Sequence, residues 1–93
     1  MTYRIKFTTT YKKSYKRAKK RGLNLNLLDD VVEELRQGHK LDAKYRDYEL
    51  HGNWSGFREC HIQPDWLLVY LVENDILTLT LVETGTHADI FDE

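Results

Sequence analysis

The chain has 93 residues, of which 41% are hydrophobic and 31% charged, and its formal net charge is −1. That composition excludes a disordered or fibrous chain, and the length suits one globular domain spanning 1–93. Cys60 is the only cysteine, which excludes an internal disulfide and fits a cytoplasmic, reducing setting. No apolar run approaches ~18 residues, so no membrane span is expected, and the N-terminus lacks a signal-peptide pattern. The near-neutral total hides a divide. Residues 1–21 carry nine basic side chains and no acidic one, whereas the rest carries five basic and fifteen acidic. A cationic segment of that kind points to a polyanionic partner on one face.

Tyr3, Ile5 and Phe7 alternate with Arg4 and Lys6, which predicts a strand with the apolar side chains on one face. Thr8 to Thr10 offer helix N-caps, and Tyr11, Tyr15 and Ala18 recur with helical spacing up to Gly22, a natural stop. The remaining surface of this helix is Lys12, Lys13, Lys16, Arg17, Lys19, Lys20 and Arg21. Asn24 or Asn26 caps a second helix, whose apolar face is Leu28, Val31, Val32 and Leu35 and whose end is Gly38. The short link makes the two helices an antiparallel hairpin. Residues 39–47 read as a loop, and Tyr48 to Leu50 as a short strand. A turn over Gly52 to Gly56 leads into a strand from Phe57 to Ile62. After the break at Gln63-Pro64, Trp66 to Val72 is almost wholly apolar, as a strand buried on both faces would be. Asn74-Asp75 makes a turn, and Ile76 to Val82 alternates Leu77, Leu79 and Leu81 with Thr78 and Thr80. His87 to Phe91 reads as a terminal turn or short helix. The order is β-α-α-β-β-β-β, an α+β fold with a mostly antiparallel sheet and an N-terminal helical hairpin packed on one face.

Chemistry concentrates in His61-Ile62-Gln63-Pro64-Asp65-Trp66 and in His87. Imidazoles and a carboxylate at strand ends can move protons at neutral pH. Zinc ligation by His61, Asp65, His87 and His51 fits less well, because the spacing spans a strand and a turn and no cysteine pair assists. Neither a metal nor a cofactor is expected. Alternation places Arg58 opposite His61, so it reaches a shared site only through a twist or bulge.

The stretch Gly52-Asn53-Trp54-Ser55-Gly56-Phe57-Arg58-Glu59-Cys60-His61-Ile62-Gln63-Pro64-Asp65-Trp66-Leu67-Leu68-Val69-Tyr70, with Glu83-Thr84-Gly85-Thr86-His87 and Phe91, resembles the YafQ branch of the RelE-type bacterial toxins. The resemblance spans essentially the whole chain. It implies a RelE-like fold, a DinJ/RelB-like antitoxin partner, and metal-independent cleavage of messenger RNA in the ribosomal A site. By position it implies catalytic roles for His61, Asp65 and His87, with His87 as general acid. It ties Trp66 and Phe91 to substrate placement. Tyr48 stands where the family usually has histidine, which implies either natural variation or a weakened toxin that binds antitoxin and RNA. Tyr48 and His51 compete for the base position, His61 is the base or a phosphate contact, and Arg58 is a candidate phosphate contact. Lys12, Lys13, Lys16, Arg17, Lys19 and Lys20 are expected to meet ribosomal RNA.

Overall fold

The computed structural model describes residues 2–91. The Thr8 hydroxyl accepts from the Tyr11 amide and starts α1 (Thr9–Lys20), and the Asn24 side chain does the same for α2 (Leu25–Arg36) through the Asn26 amide. Gly22 and Gly38 take positive φ just past the two helix ends, as the sequence anticipates. The strands are β1 (Arg4–Phe7), β2 (Tyr48–Glu49), β3 (Arg58–Gln63), β4 (Trp66–Glu73) and β5 (Thr78–Gly85), followed by α3 (His87–Phe91). They form one sheet in the order β1-β5-β4-β3-β2, with β1 parallel to β5 and every other pair antiparallel.

The expected strand ends shift by single residues in β1 to β4 and by more in β5. The last strand begins at Thr78 rather than Ile76, because Leu77 holds φ 47° in the turn and leaves its side chain exposed. It also runs on to Gly85, since pairing with β4 continues to the Leu67–Gly85 step. The segment read as a plain loop contains a 3-10 turn at Ala43–Tyr45, capped by the Asp42 side chain on the Lys44 amide.

The sheet has two unequal covers. On one face α1 and α2 bury Tyr11, Ala18, Leu28, Val31 and Leu35 against Cys60, Ile62, Trp66, Leu68, Tyr70, Leu79 and Leu81. On the other, Leu67, Val69 and Ile90 form a smaller cluster with Leu50, Trp54, Phe57, Val82 and Phe91 around it. The β4 run is thus buried on both faces, as its unbroken apolar pattern implies. Burial raises the Cys60 thiol far above its ordinary range and leaves it inert.

One polar knot ties the helix layer to the strands. Trp66 Nε1 donates to Thr84 Oγ1 at 2.9 Å, the Thr84 hydroxyl donates to the Leu67 carbonyl at 2.6 Å, and the Thr84 amide donates to Ser14 Oγ at 3.1 Å. All three side chains are buried. Thr84→Val keeps the shape but strands the indole N–H, and is expected to destabilise the protein by about 1–3 kcal/mol. Urea unfolding checks this, and Trp66→Phe in the same chain should recover part of the loss.

Candidate functional site

The open face of the sheet carries the chemistry. On β3, Cys60 and Ile62 point to the helix layer, which leaves Glu59 and His61 on the other side. Tyr48 of β2 stands across the strands from Glu59. His87 enters from the first residue of α3, and Asp65 from the turn between β3 and β4.

Glu59 is the hub. Its side chain is only 1% exposed, and Oε1 accepts the Tyr48 hydroxyl at 2.9 Å. The same oxygen lies 3.9 Å from Nε2 of His61 and 3.9 Å from Nε2 of His87. The two imidazole centroids are 5.9 Å apart. His87 Nδ1 also faces Asp65 Oδ1 at 3.4 Å, and its amide points to that oxygen at the same distance. One imidazole therefore spans an exposed carboxylate and a buried one. His61 is less exposed than His87, and its Nδ1 is buried without a hydrogen-bond partner. Its Nε2, on the side of Glu59 and His87, is therefore the nitrogen that faces the cluster. Burial, with Glu59 beside it, pushes the Tyr48 phenol above its usual range. Tyr48 is accordingly a donor at neutral pH and a poor base.

The short helix that delivers His87 is fixed from several sides. The Thr86 hydroxyl accepts from the Asp89 amide at 3.1 Å, and Asp89 Oδ2 accepts from the Thr86 amide at 2.9 Å, which makes a reciprocal capping box. Arg21 grips Asp89 through two hydrogen bonds of 2.6 and 3.2 Å, and Arg17 approaches the same carboxylate at 3.7 Å while donating to the Thr84 carbonyl. A Cβ on Gly85 would stand 2.8 Å from both the Arg17 guanidinium and the Asp89 carboxylate, so only glycine permits this approach. Phe91 packs against Trp54 and lies 6.2 Å, centroid to centroid, from His87.

The structure thus gathers His61, Asp65, His87 and Tyr48, and sets Phe91 beside them. It places other expected site residues elsewhere. Trp66 is 3% exposed on the helix side and cannot stack on RNA, and the tryptophan on the site's face is Trp54. Arg58 lies on the helix side too, held by Asp47 at 3.2 Å, which also accepts the Tyr70 hydroxyl. No twist or bulge brings it round, because the irregularity in β3 falls later, between His61 and Gln63. His51 is exposed at the entry to the 3-10 turn Gly52–Trp54 and joins none of the described contacts around Glu59. Arg17 is committed to α3, whereas Lys12, Lys13, Lys16, Lys19 and Lys20 are exposed and make no ion pair among the described residues. Sequence reasoning passed over Glu59. The available signal was an acidic residue two positions before His61, on the same face of a largely apolar strand.

A mixed five-stranded sheet backed by a helical hairpin, with imidazoles and carboxylates on its open face, is the RelE-like arrangement of small bacterial toxins. The chain belongs to the YafQ family: the model of the bacterial toxin of type II toxin-antitoxin systems, YafQ, matches residues 3–92. The mRNA interferase toxin YafQ of Escherichia coli K12 is 36% identical over 88 residues, 94% of each chain. The crystal structure of the E. coli DinJ-YafQ complex matches with a TM-score of 0.90 at 35% identity, covering 98% of this chain and 99% of that one. The structure of a metal-bound toxin from Helicobacter pylori matches with a TM-score of 0.89 at 40% identity, covering 98% and 100%.

The Arg21 guanidinium and the capping box hold the Asp89 carboxyl well below the usual carboxylate range. Its contribution to stability is complete at neutral pH and drains away as pH falls below ~4 towards the depressed native value. Asp89→Asn should therefore lower the urea midpoint at neutral pH, and the gap to wild type should narrow in strong acid. A gap that stays constant across the acid range would count against the clamp.

Proposed function

We infer that residues 1–93 act as one toxin domain that cleaves messenger RNA on the ribosome in the cytoplasm and is held in check by a DinJ-like antitoxin. The observation that carries this reading is the pair of imidazoles facing one buried carboxylate oxygen, each at 3.9 Å. The activity named for the E. coli relative and its complex with DinJ support it. In the reaction, the ribose 2′-oxygen attacks the adjacent phosphorus and the bond to the 5′-oxygen breaks, leaving a 2′,3′-cyclic phosphate and a 5′-hydroxyl. His61 takes the 2′ proton, and His87 gives a proton to the departing 5′-oxygen. Rings 5.9 Å apart can flank one phosphate. Glu59 stands beside both imidazoles, Asp65 orients His87, and the Tyr48 hydroxyl holds Glu59 in place. Asp65 and His87 lie at the solvent edge, so substrate enters there. No helix among the described residues is long and apolar enough to cross a membrane.

The free lysines of α1 serve ribosomal RNA rather than catalysis. Each phosphate contact contributes about one unit to the slope of log affinity against log salt. Replacing Lys12, Lys13 and Lys16 by Gln should flatten that slope for ribosome binding by about three. In a reconstituted translation reaction, His61→Ala and His87→Ala should each slow mRNA cutting by about 10²–10⁴-fold, read by primer extension. Equal cutting by wild type and both variants would refute the assignment. A wild type that binds ribosomes and antitoxin without cutting would establish the weakened-toxin reading that Tyr48 favours.

A second reading concerns metal. One ligand atom from each of Glu59, His61 and His87 lies within 4.8 Å of the others, and the H. pylori relative is described as metal-bound. Donors around a tetrahedral ion at about 2.1 Å stand roughly 3.4 Å apart, so a small inward shift fits a divalent ion. Such an ion would occupy the nitrogens that move protons. Cutting should persist in excess chelator and fall when zinc is added; loss of cutting in chelator would reverse the roles.

A further inference from the structure

Beside the catalytic cluster runs a trough of about 460 Å³, bordered by Lys44, Tyr45, Arg46, His61, Gln63 and Pro64. Its size falls in the ~300–1,000 Å³ range of small-ligand clefts. Like the hollow at Asp65 it adjoins the cluster, and it differs from that hollow in charge. It shares His61 with the cluster, so it continues the site rather than standing apart from it. It also has cationic side chains on its rim and no acidic one, whereas the hollow at Asp65 includes a carboxylate and the one at Arg58 includes Asp47 and Glu49.

The local backbone presents these cations. Asp42 caps the 3-10 turn, and Arg46 ends it with φ 47°, a conformation that glycine or asparagine adopts with less strain. Lys44 and Arg46 are exposed and make no ion pair among the described residues. The Lys44 ammonium lies 5.1 Å from the centre of the Tyr45 ring. The half-buried ring and the cation over it both line the trough. Aromatic rings with neighbouring cations are what single-stranded RNA readers use, the ring for a base and the cations for phosphates.

We propose that this trough is an mRNA subsite: a nucleotide flanking the scissile phosphate lies along it, its base against Tyr45 and its phosphate between Lys44 and Arg46. The inference rests on the mRNA-cleavage reading above and adds the residues that align the strand with His61. It separates two cationic surfaces, α1 for the ribosome and the 3-10 turn for the message. Lys44 and Arg46 are positioning residues, since they bind the strand and take no part in proton transfer.

The test is the double variant Lys44→Gln/Arg46→Asn, in which asparagine tolerates the left-handed backbone. Cleavage is followed under single-turnover conditions in reconstituted translation, with ribosome pelleting and antitoxin binding measured alongside. The expected result is cutting slower by ten- to hundredfold, with shifted preference among cut sites, while ribosome and antitoxin affinities stay within twofold. Tyr45→Leu, which keeps bulk against the core, should shift site preference more than rate. A double variant that cuts at the wild-type rate and positions overturns the subsite, and weakened antitoxin binding in that case assigns the trough to the antitoxin. Slower cutting that follows ribosome affinity also overturns it. A wild type that cuts no mRNA overturns the functional reading itself, which distinguishes the two failures.

Discussion

A carboxylate sealed into the protein has to be answered by donors or cations, because isolated burial of its charge costs several kcal/mol. Glu59 sits under that constraint. Its partners come from three separate parts of the chain: Tyr48 across the strand pair, His61 two residues along β3, and His87 from the terminal helix. One buried side chain is therefore the point at which the two imidazoles and the phenol meet. At 3.9 Å the Nε2 atoms of both rings stand beside Glu59 without hydrogen-bonding to it.

The terminal helix has only five residues and cannot hold itself. Its position is imported. The Thr86–Asp89 box supplies the missing caps, Ile90 anchors it in the small cluster, and Arg21 and Arg17 reach across from α1. The cations of this segment thus divide by residue type. The lysines face solvent, and Arg17 and Arg21 are structural links to Asp89 of the short helix that carries His87.

The sheet separates stability from chemistry. Its helix-covered face holds the larger core, the Thr84 knot and the Asp47–Arg58–Tyr70 network. Its other face has a thin aromatic cover, Trp54 on Phe57 and Phe91, and the polar cluster at its rim. Alternation along β3 makes this possible, since neighbours in sequence serve opposite faces: Arg58, Cys60 and Ile62 the first, Glu59 and His61 the second.

Periodicity and caps, which depend on neighbours within a few residues, were enough to determine both long helices, the succession of elements along the chain and the buried run in β4; the order β1-β5-β4-β3-β2 within the sheet was not among them. Spacing alone marked His61, Asp65 and His87 as candidate proton carriers, and the family motif gave them roles. What required tertiary structure was every property set by partners distant in sequence. The Arg21–Asp89 pair spans 68 residues, the Arg58–Asp47 pair crosses strands, and Trp66 is bound to Thr84 on the buried side. Local pattern assigns a side chain to a face but does not say what covers that face. An acidic Glu59 therefore reads as solvated surface, and Trp66 and Trp54 read alike, until packing decides which side of the sheet is sealed and which is open to substrate.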